Sequence, residues 1–273
     1  MATHGSAFPI AKLALNNNVP PILMASLRMG MVMLLLIPFW KFKIPDKKYL
    51  KSLILFSISM GVMVYVFMNL SLKHSSFISP IIIGAQLAVP FAVLLSAKMI
   101  GENISFKKWV YVILAFVGIT IVFFDPELKN NLLGLFFASL MALFFAIAQV
   151  YSRQLKELSL IILNVYTGFF GFLVLIVVSF FVEGEVIINI KNINFESWIL
   201  ISYQAVIVSL FAHMSMFYLY KFYTVGQIFP FYSLFPIFGI ILTFLIFGEI
   251  PSLLFFIGSF IVISSVILLQ KTK

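Results

Sequence analysis

The chain has 273 residues, 63% of them hydrophobic and only 10% charged, and its mean hydropathy is +1.15. A soluble domain carries about 25% charged residues, so this chain cannot cover a water-soluble surface and reads as an integral membrane protein. It has no Cys, which excludes a disulfide framework, a thiolate metal site and a cysteine nucleophile. Its net charge of +9 sits between apolar runs, where membrane topology rather than nucleic-acid binding places it.

The apolar runs far exceed the roughly 9–11 residues of a membrane barrel strand, so they are predicted as helices. Residues 1–16, MATHGSAFPIAKLALN, form a short first helix ending at Asn16-Asn17-Asn18. About 14 residues at 1.5 Å each cover some 21 Å of a core about 30 Å thick. Either this helix tilts into a thinned patch, or the start lies upstream of Met1. It does not resemble a secretory signal, because no basic segment precedes the apolar one and Lys12 interrupts it. Helix 2 is predicted over residues 20–40, with proline at its start. After the basic loop KFKIPDKKYLK come helix 3 (50–72), the turn Lys73-His74-Ser75 and helix 4 (76–99). Helix 5 (107–124) stops at Asp125-Pro126, helix 6 (132–151) closes in SRQLK, and helix 7 covers 158–182. The polar linker EGEVIINIKNINFES leads to helix 8 (197–221), and helices 9 (226–247) and 10 (251–269) complete the chain.

Ten helices with a cytoplasmic amino terminus put thirteen Lys and Arg in the inner loops and tail and three, Lys73, Lys129 and Lys191, in the outer loops. That is a strong positive-inside bias, and it places both termini in the cytoplasm. The two halves also echo each other. Residues 75–118 and 224–258 each contain an apolar run with two prolines (Pro80 and Pro90; Pro230 and Pro236), end it in Gly-Glu (Gly101-Glu102; Gly248-Glu249), and continue into another apolar run. From the second proline to the Glu is 12 residues in one copy and 13 in the other. Proline-interrupted segments at matched places mark an internally repeated transporter and the neighbourhood of its substrate. Five helices per repeat is odd, so the second repeat enters from the opposite side. The expected fold is all-α, two inverted five-helix repeats over residues 1–125 and 126–273.

These residues resemble a known family. HGSAFPIAKLAL, PPILMASLRMGM and SLKHSS…GAQLAVPFAVLLSAKMIGENIS are similar to the first repeat of the EamA-type drug/metabolite transporters, and FYLYKFYTVGQIFPFYSLFPIFGIILTFLIFGEIPS to the second. Within that superfamily the placement of GAQ and the run IFPFYSLFPIFG look most like the O-acetylserine/cysteine exporters. The family's first helix usually carries Trp-Gly, where this chain has His4-Gly5. The resemblance implies transport of small amino-acid-like metabolites, often outward, across a bacterial inner membrane. It also implies a central cavity lined by helices 1, 3, 4, 6, 8 and 9, with no cofactor.

Polar side chains within membrane helices are costly, so each requires a reason. Lys12 and Arg28 are the basic residues placed away from the inner helix ends. Arg28 lies about 12 Å into helix 2, where a cation could grip a substrate carboxylate, though a snorkelling side chain also fits. No Asp or Glu is predicted deep in a helix, which argues against a metal-ion carrier or a carboxylate proton relay. A zwitterionic or anionic substrate suits the remaining charge. Glu102 and Glu249 are expected to pin the starts of neighbouring helices. His213, in the middle of helix 8, is suited to carry a coupling proton, to bind substrate, or to make a structural hydrogen bond. Gln86, Tyr232 and Ser233 flank the repeat prolines, whose freed carbonyls need partners. Asn69, Gln149, Tyr65, Tyr166 and Tyr218 are weaker candidates.

An integral-membrane enzyme is disfavoured by the lack of HExxH, GxSxG or P-loop motifs, and a channel by the inverted repeat. Within transport, the alternative to amino-acid export is uptake of a larger metabolite such as S-adenosylmethionine or a nucleotide-sugar-like compound.

Overall fold

The computed structural model describes residues 1–40, 45–101, 103–212, 215 and 234–272. Among these the chain is helical, with no strand. A first helix, α1 (Ala7–Asn16), follows the single turn Ala2–Gly5. Eight helices are long and apolar enough to cross a membrane: α2 (Pro21–Phe39), α3 (Lys47–Lys73), α4 (Ser79–Met99), α5 (Phe106–Phe123), α6 (Leu132–Gln154, preceded by a 3-10 turn), α7 (Leu160–Glu183), α8 (Phe195–Ala212) and α10 (Leu253–Lys271). Between the last two lies the shorter α9 (Phe235–Phe247), the described part of predicted helix 9. The linker after α7 is not all loop: Val186–Lys191 forms a short helix with Ile187 and Ile188 exposed. Its run of Val and Ile was masked in the sequence by the flanking Glu and Asn.

Local chemistry sets the ends. Ser159, Asn194 and Ser252 cap α7, α8 and α10 by accepting from the backbone N–H three residues on. The repeated Gly-Glu has a matching backbone reason. Gly101 and Gly248 end α4 and α9 in the left-handed conformation, with φ of 77° and 66°, which L side chains rarely adopt.

Packing follows the inverted plan. Helices related by five positions, α2 with α7 and α5 with α10, pack directly on each other, as elements beside a two-fold axis must. At the α5–α10 crossing, Gly118 and Gly258 meet backbone to backbone. A Cβ on Gly258 would stand 2.7 Å from the Gly118 carbonyl oxygen. One further contact is mirrored between the repeats. The Gly5 turn rests on Gly239 of α9 as Gly84 of α4 rests on Ala138 of α6.

Helix winding is irregular at matched places. Residues Ile58–Met63 of α3 and Gln204–Ala212 of α8 are π-helical, a winding that recurs at functional sites. Residues Ala85–Leu87 of α4 are wound as a 3-10 turn. Pro90 has no N–H for the Gln86 carbonyl and crowds it, which accounts for the tightened turn.

One end of the bundle is cross-linked by polar side chains. The Glu249 carboxylate accepts from the Ile78 and Ser79 N–H groups at 2.7 and 2.8 Å, capping α4. Glu183 does the same for α2, accepting from Ile22 and Leu23 at 2.7 and 2.8 Å and from the Ser179 hydroxyl. Asn131 accepts from Ser75 and Ser76, and Ser252 donates to Asp125.

Candidate functional site

The most telling polar group lies in the interior. Arg28 of α2 is 4% exposed. Its Nε donates to the Ser209 hydroxyl at 2.9 Å and its Nη1 to the Gln204 side-chain oxygen at 2.8 Å. The guanidinium carbon stands 4.3 Å from the centre of the Tyr65 ring, a cation–π contact worth about 2 kcal/mol where water is excluded. Gln204 is itself fixed, donating to the Ala7 carbonyl at 2.6 Å, and the Ser6 and Tyr203 hydroxyls bond beside it at 2.9 Å. Four helices, α1, α2, α3 and α8, therefore meet around one cation.

No acidic side chain among the described residues pairs with this cation. Among the described residues the one ion pair is Lys48–Glu157, far down the sequence from Arg28 and exposed. A guanidinium has five N–H donors in a planar fork, and Nη2 has no hydrogen-bond partner among the described residues. A buried cation costs several kcal/mol to desolvate unless an anion meets it. Neutral oxygens and an aromatic face offset part of that cost, and a planar carboxylate would offset more. Snorkelling is not what Arg28 does, since its head is held inward by α8.

Lys12 is placed differently. Its Nζ donates to the carbonyls of Leu72 and Ser75 at 2.6 and 2.7 Å, satisfying groups that the end of α3 leaves open. Two of its three N–H groups are used in this way. Gln86 is 3% exposed, and its Nε2 is buried without a hydrogen-bond partner among the described residues. A native interior rarely leaves an amide donor so, and an occupant bringing an acceptor would satisfy it. No hydrogen bond among the described residues joins Lys12, Arg28 and Gln86 to one another. His213, Tyr232, Ser233, Tyr218 and Glu102 lie outside the described residues.

Of the weaker candidates, Asn69 donates to the Pro21 carbonyl at 2.9 Å, and Tyr166 packs edge-on against Trp40. Both roles tie helices together. Tyr65 rises in standing through its ring beneath Arg28. Glu249 pins the start of α4 as expected, and Glu183, which sequence reasoning passed over, pins α2. Gln204 and Ser209 were also missed. They are five residues apart, a spacing that puts them on different faces of an α-helix and on one face only in the π winding.

The described residues contain no group of three or more His, Cys, Asp or Glu that could hold a metal ion. A model of the EamA-like transporter family matches residues 1–124 and again residues 132–270. No curated protein matches the chain. Among the solved structures that do match, one described as the crystal structure of a protein is similar over 97% of this chain and 95% of its own, with a TM-score of 0.52 at 14% identity. At that identity the likeness concerns the fold alone.

Proposed function

The chain belongs to the EamA-like transporter family and is a multi-pass membrane transporter of small solutes; on that premise we propose that it is a secondary carrier of zwitterionic or anionic, amino-acid-like metabolites. It works by alternating access between its inverted repeats in a bacterial inner membrane, most usefully as an exporter of the O-acetylserine and cysteine type. The observation that carries this reading is Arg28, a buried guanidinium whose Nη2 has no hydrogen-bond partner and which has no acidic partner among the described residues. A substrate carboxylate supplies the missing charge. Gln86 contributes an amide donor, and Lys12 a third N–H near one end of the bundle. His213, Tyr232 and Ser233 complete the proposed lining, with His213 suited to proton coupling.

Counterflow in proteoliposomes tests it. Protein preloaded with O-acetylserine, cysteine, threonine or a neutral aromatic amino acid should exchange at least one of them with labelled compound. Methyl esters of the same amino acids, which lack the carboxylate, should exchange poorly. Arg28→Met should weaken apparent affinity by about tenfold or more, the worth of a lost charged hydrogen bond. Lys12→Met should weaken it less. Equal exchange of free acids and methyl esters would remove the carboxylate from the reading. Exchange of S-adenosylmethionine alone would keep the carrier and reject the export of small amino acids.

A further inference from the structure

Arg28 presents two planar edges to an incoming carboxylate: one formed by Nε and Nη2, the other by Nη1 and Nη2. Ser209 occupies Nε on the first edge and Gln204 occupies Nη1 on the second, while Nη2, common to both, is unpartnered among the described residues. Each edge is thus half filled, and both fillers come from the same π-helical stretch of α8. We infer that Ser209 and Gln204 are place-holders for the substrate carboxylate, so that bidentate binding at Arg28 must detach α8 from α2 on at least one edge.

The winding of α8 makes this a coupling rather than a local swap. Five residues of an α-helix turn through about 500°, which leaves the side chains roughly 140° apart. In a π-helix, bonded i→i+5 with about 4.4 residues per turn, the same five residues end only about 50° apart, so Gln204 and Ser209 share a face. Both reach Arg28 only while the stretch stays π-wound. A carboxylate that takes over either edge removes one of the two bonds that favour that winding. Gln204 also holds the Ala7 carbonyl, so its release reaches the first helix as well. Occupancy of the site and the shape of α8 are then linked through differential contacts, as a ligand-driven change of state requires. This inference rests on the reading of Arg28 as the carboxylate clamp and adds which residues the substrate displaces.

The test uses the full chain in proteoliposomes, with free L-amino acids and their methyl esters as probes and the apparent melting temperature as a check of folding. Gln204→Glu gives Arg28 a carboxylate of its own. Exchange of free acids should fall by at least about tenfold in a variant that still melts cooperatively, the new ion pair with Arg28 offsetting the lost bond to the Ala7 carbonyl. Ser209→Ala frees Nε, so apparent affinity should tighten by about threefold, the worth of one modest hydrogen bond. Unchanged affinity in both folded variants overturns the inference, as does loss of exchange in Ser209→Ala, which would make the hydroxyl part of the bound state. Should Gln204→Glu fail to insert, Ser209→Ala decides alone. Methyl esters exchanging as fast as free acids in the parent protein would instead remove the clamp itself. A parent that requires the free acid, with variants of unchanged affinity, would remove only the place-holders.

Discussion

Glu249 is 8% exposed and caps α4 through two short bonds, from Ile78 at 2.7 Å and Ser79 at 2.8 Å. Glu249→Gln keeps the shape but turns one acceptor oxygen into an NH2 facing a backbone N–H. One buried donor then goes unsatisfied, at about 1–3 kcal/mol. The loss of negative charge from a helix N-terminus adds about 0.3–2 kcal/mol. A total of about 1–5 kcal/mol corresponds to a fall of roughly 3–20 °C in melting temperature for a chain of this size. The assay is the apparent melting temperature in detergent, followed by tryptophan fluorescence at fixed scan rate because such unfolding is often irreversible. Glu183→Gln should fall less, since Glu183 is more exposed and Ser179 remains to hold the oxygen that accepts from Leu23. A fall of under about 2 °C for Glu249→Gln would show that the carboxylate does not hold α4. A changed affinity at unchanged melting temperature would give it to the substrate instead.

Packing and topology give two more. Gly258→Ala drives a Cβ to 2.7 Å from both the Gly118 carbonyl oxygen and a Val122 methyl, so it should cost about 1–3 kcal/mol by overpacking, while the outward-facing Phe260→Ala should leave the melting temperature nearly unchanged; equal effects would deny the α5–α10 contact. The chain has no Cys, so single cysteines report sidedness without a background. Lys129→Cys should react with an impermeant maleimide on intact cells and Lys156→Cys only after permeabilisation, and the reverse pattern would invert the topology.

How much of this the sequence held depends on the range of each interaction. The glycine of the Gly-Glu echo was legible because it answers to a local need, a positive φ at a helix end, whereas the helix N-terminus that Glu249 caps lies far away in the sequence. Proline was legible for the same reason, since Pro90 alone accounts for the tight turn at Gln86. The depth of Arg28 could be counted off along the helix. Its partners could not, because Gln204 and Ser209 share a face only in a winding that a 3.6-residue period conceals. Lys12 was chosen for its charge, yet two of its N–H groups go to backbone carbonyls of Leu72 and Ser75, which no residue pattern distinguishes. The role of Glu183 was hidden by its place at the head of a polar linker.

The two copies also diverge where bonding, rather than shape, is concerned. Glu249 and Glu183 both lie at the ends of second-repeat helices and cap first-repeat helices at the same end of the bundle. Inversion sets the matching positions at the opposite end: Glu102 after α4, and the end of α2. The first keeps its acid in the sequence. The second does not, because α2 closes in Pro38-Phe39-Trp40, and the first acid beyond it is Asp46. One end therefore has a carboxylate at both positions and the other at one. Main-chain demands of glycine and proline reproduce the architecture in each repeat, while the acid that α7 carries at its end has no counterpart at the end of α2.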